Sequence, residues 1–175
     1  MIISKNSQIS QGKDIIFMKL GTKSFNNQDF DEDATMQLYL SDCAKRGYSW
    51  FSTQSLFFGM SPDKVKYFNQ KIKNGEPVII LFAGSTILNQ PKVNDIGYAA
   101  EVLEVYSEKD PVPCPEANAV PPAFCGEKAR IWLKLKNVRE EHDIKASMLK
   151  ISSTGNDLKQ VISKAQFHFG YVSFK

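Results

Sequence analysis

The sequence is poor in the residues that most often do chemistry. Its 175 residues include two histidines, three cysteines and two tryptophans. His142 and His168 stand far apart, and no cysteine pair has the spacing of a zinc site. The stretch "REEHD" around His142 is acidic enough to suggest a metal, but no second ligand cluster completes it, so it reads as a solvated turn. Cys43, Cys114 and Cys125 are an odd and sparse set. They exclude a disulfide framework and fit a reducing compartment. Neither Cys114 nor Cys125 has a CxxC partner, or a base and electropositive setting that would make it a nucleophile. No apolar run approaches the roughly 18–20 residues that cross a bilayer. The start, "MIISKNSQISQGKD", lacks the apolar core and cleavage site of a signal peptide, so a cytoplasmic location is expected. A phosphate loop is missing too, because "LFAGSTILNQ" has neither its lysine nor its spacing. The excess of one charge over the other is small: the net is +3, which permits a nucleic-acid partner without demanding one. These absences point to a binding protein with no catalytic residue, no metal and no cofactor.

What is present suffices for a core. At 42% hydrophobic and 23% charged, residues 1–175 are expected to form a single domain. "KDIIFMKL", Lys13 to Leu20, reads as a strand, and "NNQDFDED" as a polar loop. "DATMQLYLSDCAKRG" places Met36, Leu40, Cys43 and Ala44 on one helical face, with Lys45 and Arg46 in the last turn and Gly47 past its end. A second helix starts at Ser61 as N-cap with Pro62 in the first position, carries Val65, Phe68 and Ile72, and closes at Gly75. "EPVIILFAG" is a short, wholly apolar strand of the kind found at a sheet centre. "STILNQPKVND" connects it to a second central strand, "IGYAAEVLEVYS". Residues 107 to 127 hold five of the eight prolines and read as a long surface loop. "ARIWLKLK" then alternates, with Ala129, Ile131, Leu133 and Leu135 on one face and Arg130, Trp132, Lys134 and Lys136 on the other. "STGNDLKQVISKAQ" is a short helix capped at Asn156 or Asp157; its start offers free N–H groups to an anion, though it reads first as a plain cap. "FHFGYVSF" is a last strand. There are no internal repeats. The order predicts an α+β fold, a small and strongly curved mixed sheet or open barrel with short helices at its margins.

One stretch stands out. In "RGYSWFSTQS", Trp50 follows a helix end and lies among small hydroxyl residues. That pattern suggests a loop that offers an indole to a flat ligand, the other reading being a lid on the core.

These motifs, in this order, resemble the YTH domains. "GYSWFSTQS" is similar to their Gly-x-Trp-Ser-Thr stretch, "YFNQKIKNGE" with "PVIILFAG" to their helix and Val-Ile-Leu-Ile-Phe strand, and "IGYAAEVLEV" to their Gln-Gly-Phe-Ala strand. "ARIWLKLKNVREEHDI" is similar to the Lys-Trp-Ile strand and its following turn, and "NDLKQVISKAQ" to the Asn-x-x-Pro-Val-x-x-Ser-Arg-Asp segment. The likeness spans about residues 14–174. The EVE domains, relatives in the PUA-like superfamily, fit nearly as well. The pattern "EKARIWLKLKN…STGNDLKQVIS…FHFGY" looks most like the amino-terminal modified-base readers of prokaryotic McrB-type restriction GTPases.

The resemblance implies a reader that holds a flipped methylated base, N6-methyladenine or 5-methylcytosine, in an aromatic cage. Methylated DNA is the expected partner and methylated RNA the alternative. It also implies a larger chain with a nucleotide-hydrolysing motor and a nuclease partner, in a modification-dependent restriction complex; the end at Lys175, just past the last strand, fits an excised domain. Trp50 matches the first cage tryptophan, with Ser49, Ser52 and Thr53 as readers of the base edge. The family takes its second wall from the loop before the "ARIWLKLK" strand. Here that loop has no tryptophan. Phe124 is its only aromatic, with Tyr106 at its edge and Tyr98 as a further candidate. Trp132 matches a packing residue. Lys164 matches the arginine of Ser-Arg-Asp, and Ala165 stands where the aspartate is. Phosphate contacts are expected from Lys45, Arg46, Lys134, Lys136 and Lys164. A protein-interaction module on the same scaffold is the third possibility.

Overall fold

The computed structural model describes residues 14–53, 58–84, 95–164 and 167–175. The expected connection "STILNQPKVND" therefore lies almost wholly outside the described residues, as do Gln54 and Ser55. The elements are β1 (Ile15–Leu20), β2 (Lys23–Phe25), β3 (Gln28–Phe30), α1 (Glu32–Arg46), β4 (Ser49–Ser52), α2 (Pro62–Lys73), β5 (Ile79–Gly84), β6 (Asp95–Pro113), β7 (Lys128–Glu140), β8 (Leu149–Ile151), α3 (Leu158–Lys164) and β9 (Phe169–Phe174). Single 3₁₀ turns sit at Pro122–Phe124 and Ala146–Met148.

Seven strands form one mixed sheet in the order β4-β7-β6-β5-β1-β9-β8. Every pairing is antiparallel except β1 with β5. The end strands β4 and β8 do not pair with each other, so the sheet is open and no barrel closes. The fold is thus α+β, as the order of elements predicts. The 19-residue β6 has three register shifts against β7, each of which bends the strand locally.

The apolar run of β5 is buried on both faces, as the fourth of seven strands must be. Ile80 and Phe82 enter the main core, while Ile79, Leu81 and Ala83 enter a second core on the other face. The main core lies under α1 and α2. Ser61 caps α2 through the Lys64 N–H, Pro62 follows it, and Gly75 beyond the end has φ 77°. Gly47 ends α1 with φ 91°, its N–H on the Cys43 carbonyl at 2.7 Å. The buried face of α1 is rotated from the expected one: Met36, Tyr39 and Cys43 face in, while Leu40 is half-buried and Ala44 exposed. Tyr39 sets the face, because its ring packs at 4.8 Å from Phe51 and 5.7 Å from Phe124.

Three expected loops contain strand. "KSFNNQDF" forms the β2–β3 hairpin, a two-stranded sheet of its own. Asn26 and Asn27, at φ 52° and 62°, make the primed turn that matches strand twist. Trp50 lies on β4, paired in register with Lys134 of β7. The first part of the proline-rich stretch, to Pro113, continues β6. Pro111 is tolerated there because pairing with β7 is interrupted between Ser107 and Val112, and Pro113 is the last residue of the strand.

Candidate nucleic-acid interface

β4 divides its side chains between two environments. Phe51 points into the main core, with Phe82 at 5.1 Å between ring centres. Trp50 points the other way and is 1% exposed. It packs in a small third core with Trp132, Ala119, Val120 and Ala129, edged by Tyr48, Tyr106 and Val112. Both indole N–H groups are satisfied: Trp50 Nε1 donates to Glu116 at 3.0 Å, and Trp132 Nε1 to the Val112 carbonyl at 2.9 Å. The segment around Glu116 lies along β4, with the Trp50 N–H on the Ala119 carbonyl at 2.9 Å. Glu116 also accepts from Tyr48 at 2.7 Å and pairs with Lys134 at 3.0 Å. Those three partners, Tyr48 first, then Lys134 and Trp50, hold its carboxyl down at about 2. Trp50 is therefore covered by the proline-rich segment and is not presented from a loop.

Ser52, two residues on, enters a different setting. Lys23, from β2, is 5% exposed. Its Nζ donates to Ser52 Oγ at 2.8 Å and to Glu127 at 2.7 Å, and the Ser52 hydroxyl donates to the same Glu127 carboxylate. Burial pushes the Lys23 ammonium down, partly offset by Glu127. The ammonium also lies 4.2 Å from the centre of the Phe124 ring. Thr53 follows, buried, and its hydroxyl has no partner among the described residues. Phe124 is 1% exposed on the main-core side of the sheet, with Phe30 at 5.1 Å and Phe25 at 6.5 Å, both edge-on and both from the hairpin. The result is a largely buried polar nest at the end of β4, walled by aromatic rings and covered by the β2–β3 hairpin.

The expected cage residues thus fall into two groups. Trp50 and Tyr106 belong to the third core, and Phe124 to the main core, so the two expected walls do not face each other. Sheet alternation sends Trp50 to the face opposite Phe51, and Phe124 lies on the Phe51 side, where both rings pack against Tyr39. Tyr106 donates to Glu108 at 2.9 Å. Tyr98 lies elsewhere in the main core and donates to Asp33, with its own pKa raised to about 12 by burial first and by Asp33 second. Ser49 is buried on β4 with no hydroxyl partner among the described residues. Only Ser52, Thr53 and Phe124 stand near the nest.

The expected phosphate contacts are also dispersed. Arg46 forks onto Asp42 at 3.0 and 3.1 Å. Lys134 pairs with Glu116 and caps the Tyr48 ring at 4.4 Å, and Lys136 pairs with Glu101 at 3.5 Å. Lys45 is exposed in the last turn of α1. Lys164 is exposed on α3, which packs against β8 at the far end of the sheet. A shallow groove along α2, lined by Asp63, Lys66, Tyr67, Gln70 and Lys71, is mixed in charge and shares no residue with the nest.

Lys23, Glu116 and Glu127 escape a sequence reading because each looks like an ordinary solvated charge. One signal was available: aromatic residues flanking Asn26-Asn27 in "SFNNQDF" mark a hairpin, and a hairpin with Phe25 and Phe30 on it needs an apolar surface to cover. Among the described residues no group of three or more histidine, cysteine, aspartate or glutamate side chains is placed to hold a metal. No helix among them is long and apolar enough to cross a membrane. No protein-family model, curated protein or solved structure matches the chain.

Proposed function

We propose that this chain is a nucleic-acid reader that holds a flipped methylated base, N6-methyladenine or 5-methylcytosine, in DNA, and that the base is held at the end of β4. The observation that carries this is the largely buried Lys23–Ser52–Glu127 nest beside Phe124. Burying charge among aromatic rings is costly unless each group is paired, and a purely structural role would be served as well by apolar side chains. A nest that holds donors and acceptors ready in a dry setting is suited to reading a base edge. Once the hairpin moves and takes Lys23 with it, the Ser52 hydroxyl, with Thr53 next to it, offers a donor and Glu127 an acceptor. Phe124 offers a face on which a base gains about 1–3 kcal/mol of stacking. The β2–β3 hairpin is the cover that must swing aside, since Phe25 and Phe30 occupy that face.

Methyl selectivity on this reading comes from fit. One buried methyl contributes roughly 0.8 kcal/mol, and a dry seat adds the water that an unmethylated base would retain. Flipping a base from a duplex costs a few kcal/mol, so backbone contacts elsewhere must help. Trp50 acts indirectly: it fixes the edge of β4 and so the position of Ser52.

The test is binding of oligonucleotides of one sequence, as DNA and as RNA, carrying N6-methyladenine, 5-methylcytosine or neither. The wild-type chain should prefer one methylated DNA, and Ser52→Ala and Glu127→Gln should bind all of them with little preference. A wild-type chain with no preference among the six overturns the proposal, and a preference confined to RNA moves it to the RNA reader.

A further inference from the structure

From Ile144 to Lys175 the chain has five lysines, Lys145, Lys150, Lys159, Lys164 and Lys175, and one acid, Asp157. The whole chain carries a net charge of only +3, so everything before Ile144 is on balance slightly acidic. The topology gathers this basic stretch at one end of the sheet. β8, with Lys150 at its middle, is the end strand, and β9 beside it runs out to Lys175. The Lys175 N–H returns to the Met148 carbonyl at 3.0 Å. Helix α3, with Lys159 and Lys164, packs against β8 and against the 3₁₀ turn that Lys145 precedes. Asp157 is already engaged by Lys175. Among the described residues, no carboxylate lies within ion-pair distance of Lys145, Lys150 or Lys164.

We propose that this edge, formed by β8, α3 and the turn between them, is a phosphate-binding surface that holds the backbone of a nucleic acid. The proposal rests on the nucleic-acid reading above but not on which base is held or where. Between Lys150 and Asp157 the turn exposes Ser153, Thr154 and Asn156. Lysines interleaved with small hydroxyl and amide side chains are the groups that contact phosphate oxygens without reading sequence. Apolar surface would be needed by an acidic protein or a lipid headgroup layer for firm docking, and among the described residues of this edge the large apolar side chain that is exposed is Met148, at 45%. Lys164, expected from the sequence to join Lys134 and Lys136, joins this set instead. Lys134 and Lys136 are held by Glu116 and Glu101, whereas the acids that reach this edge, Asp14 and Asp157, are engaged by Lys64 and Lys175 and leave Lys145, Lys150 and Lys164 without an ion pair among the described residues. Six strand steps of about 4.8 Å separate β4 from β8, a distance a duplex covers in roughly eight base pairs at about 3.4 Å each.

The experiment compares the salt dependence of binding to an unmodified 20-base-pair DNA duplex. The full chain is set against K145Q/K150Q/K164Q and, as an equal change in charge elsewhere, K66Q/K71Q/K73Q on α2. Each bound phosphate contributes about 0.9 to the slope of log affinity against log salt. The edge variant should lose about two to three from that slope and about tenfold or more in low-salt affinity. The α2 variant should lose clearly less. Equal losses would mean that only net charge matters, and would overturn the proposal. So would binding of the wild-type chain to polyglutamate or anionic vesicles but not to DNA. Thermal melts of both variants establish that they fold. An edge variant that binds weakly but keeps its methyl preference separates this surface from the base seat. A wild-type chain that binds DNA through this edge without any methyl preference leaves this proposal standing and overturns the other.

Discussion

Trp50 and Ser52 are two residues apart on one short strand, and they end in opposite kinds of place. Around Trp50 the space is filled by Trp132, Ala119 and Val120, the polar atom of the indole is satisfied, and the charges that help, Glu116 and Lys134, stay at the surface. Around Ser52 a charge is itself inside, with Lys23 more than nine-tenths buried and its partner Glu127 partly exposed. An indole in a filled pocket needs no ligand to explain it. A buried ammonium ion does need a reason, because a well-packed apolar pair of similar volume is often about as stable. Identity alone points to the tryptophan as the functional residue, and surroundings point to the serine.

The largest effect expected from breaking this contrast is at Trp50. Trp50→Ala empties the third core and should destabilise the fold by about 3–5 kcal/mol, read from urea unfolding. A loss under about 1 kcal/mol would mean that the indole is not part of the packing. Lys23→Met comes next. It leaves the partly exposed Glu127 without its cation and should lose up to about 3 kcal/mol, whereas Lys23→Met with Glu127→Leu should recover most of that stability. If the double variant stays as unstable as the single one, the nest is a structural ion pair and the contrast with Trp50 disappears. Ser52→Ala should lose about 1–2 kcal/mol, for one hydroxyl bonded to two charged groups.

The smallest effect is in the pH dependence. The Glu116 carboxyl titrates at about 2 in the fold, against an ordinary 4.5. A depressed carboxyl contributes stability above its unfolded pKa and loses it as pH falls through the folded value. The wild-type chain should therefore lose this contribution between about pH 4.5 and pH 2, as followed by tryptophan fluorescence. Glu116→Gln should lack that phase and be unchanged in shape near neutral pH. Because Glu116 is 39% exposed, the amplitude should shrink in high salt.

The local rules were enough for much of the fold. Ser61-Pro62 and Gly47 carry their own instructions, since a cap or a left-handed residue acts within a few positions. The all-apolar "VIILFA" needs two covered faces and so a central strand. Legibility stopped where the deciding partner was distant. Trp50 looked like a loop residue because its cover includes Glu116, 66 positions away. Phe124 was legible as a ring in a proline-rich stretch, but which side of the sheet it took was decided by Tyr39 and the hairpin. Of the candidate site, Ser52, Thr53 and Phe124 could be named from sequence. Lys23 and Glu127 could not, because nothing local distinguishes a lysine that will be buried from one that will not.

The chain segment laid along β4 has a consequence for how these molecules behave toward one another. β4 is a terminal strand, and a terminal strand normally presents unpaired N–H and carbonyl groups to which another chain can add. Here the Trp50 N–H is already taken by the Ala119 carbonyl. At the opposite end the last strand is three residues long and has a lysine at its centre, a combination that discourages a further strand from joining. The sheet is therefore guarded at both ends, at one by its own chain and at the other by a short strand with a lysine. At high concentration it should resist growing edge to edge into larger assemblies, and a change that frees the Glu116 segment from β4 would remove that resistance at one end while leaving the other intact.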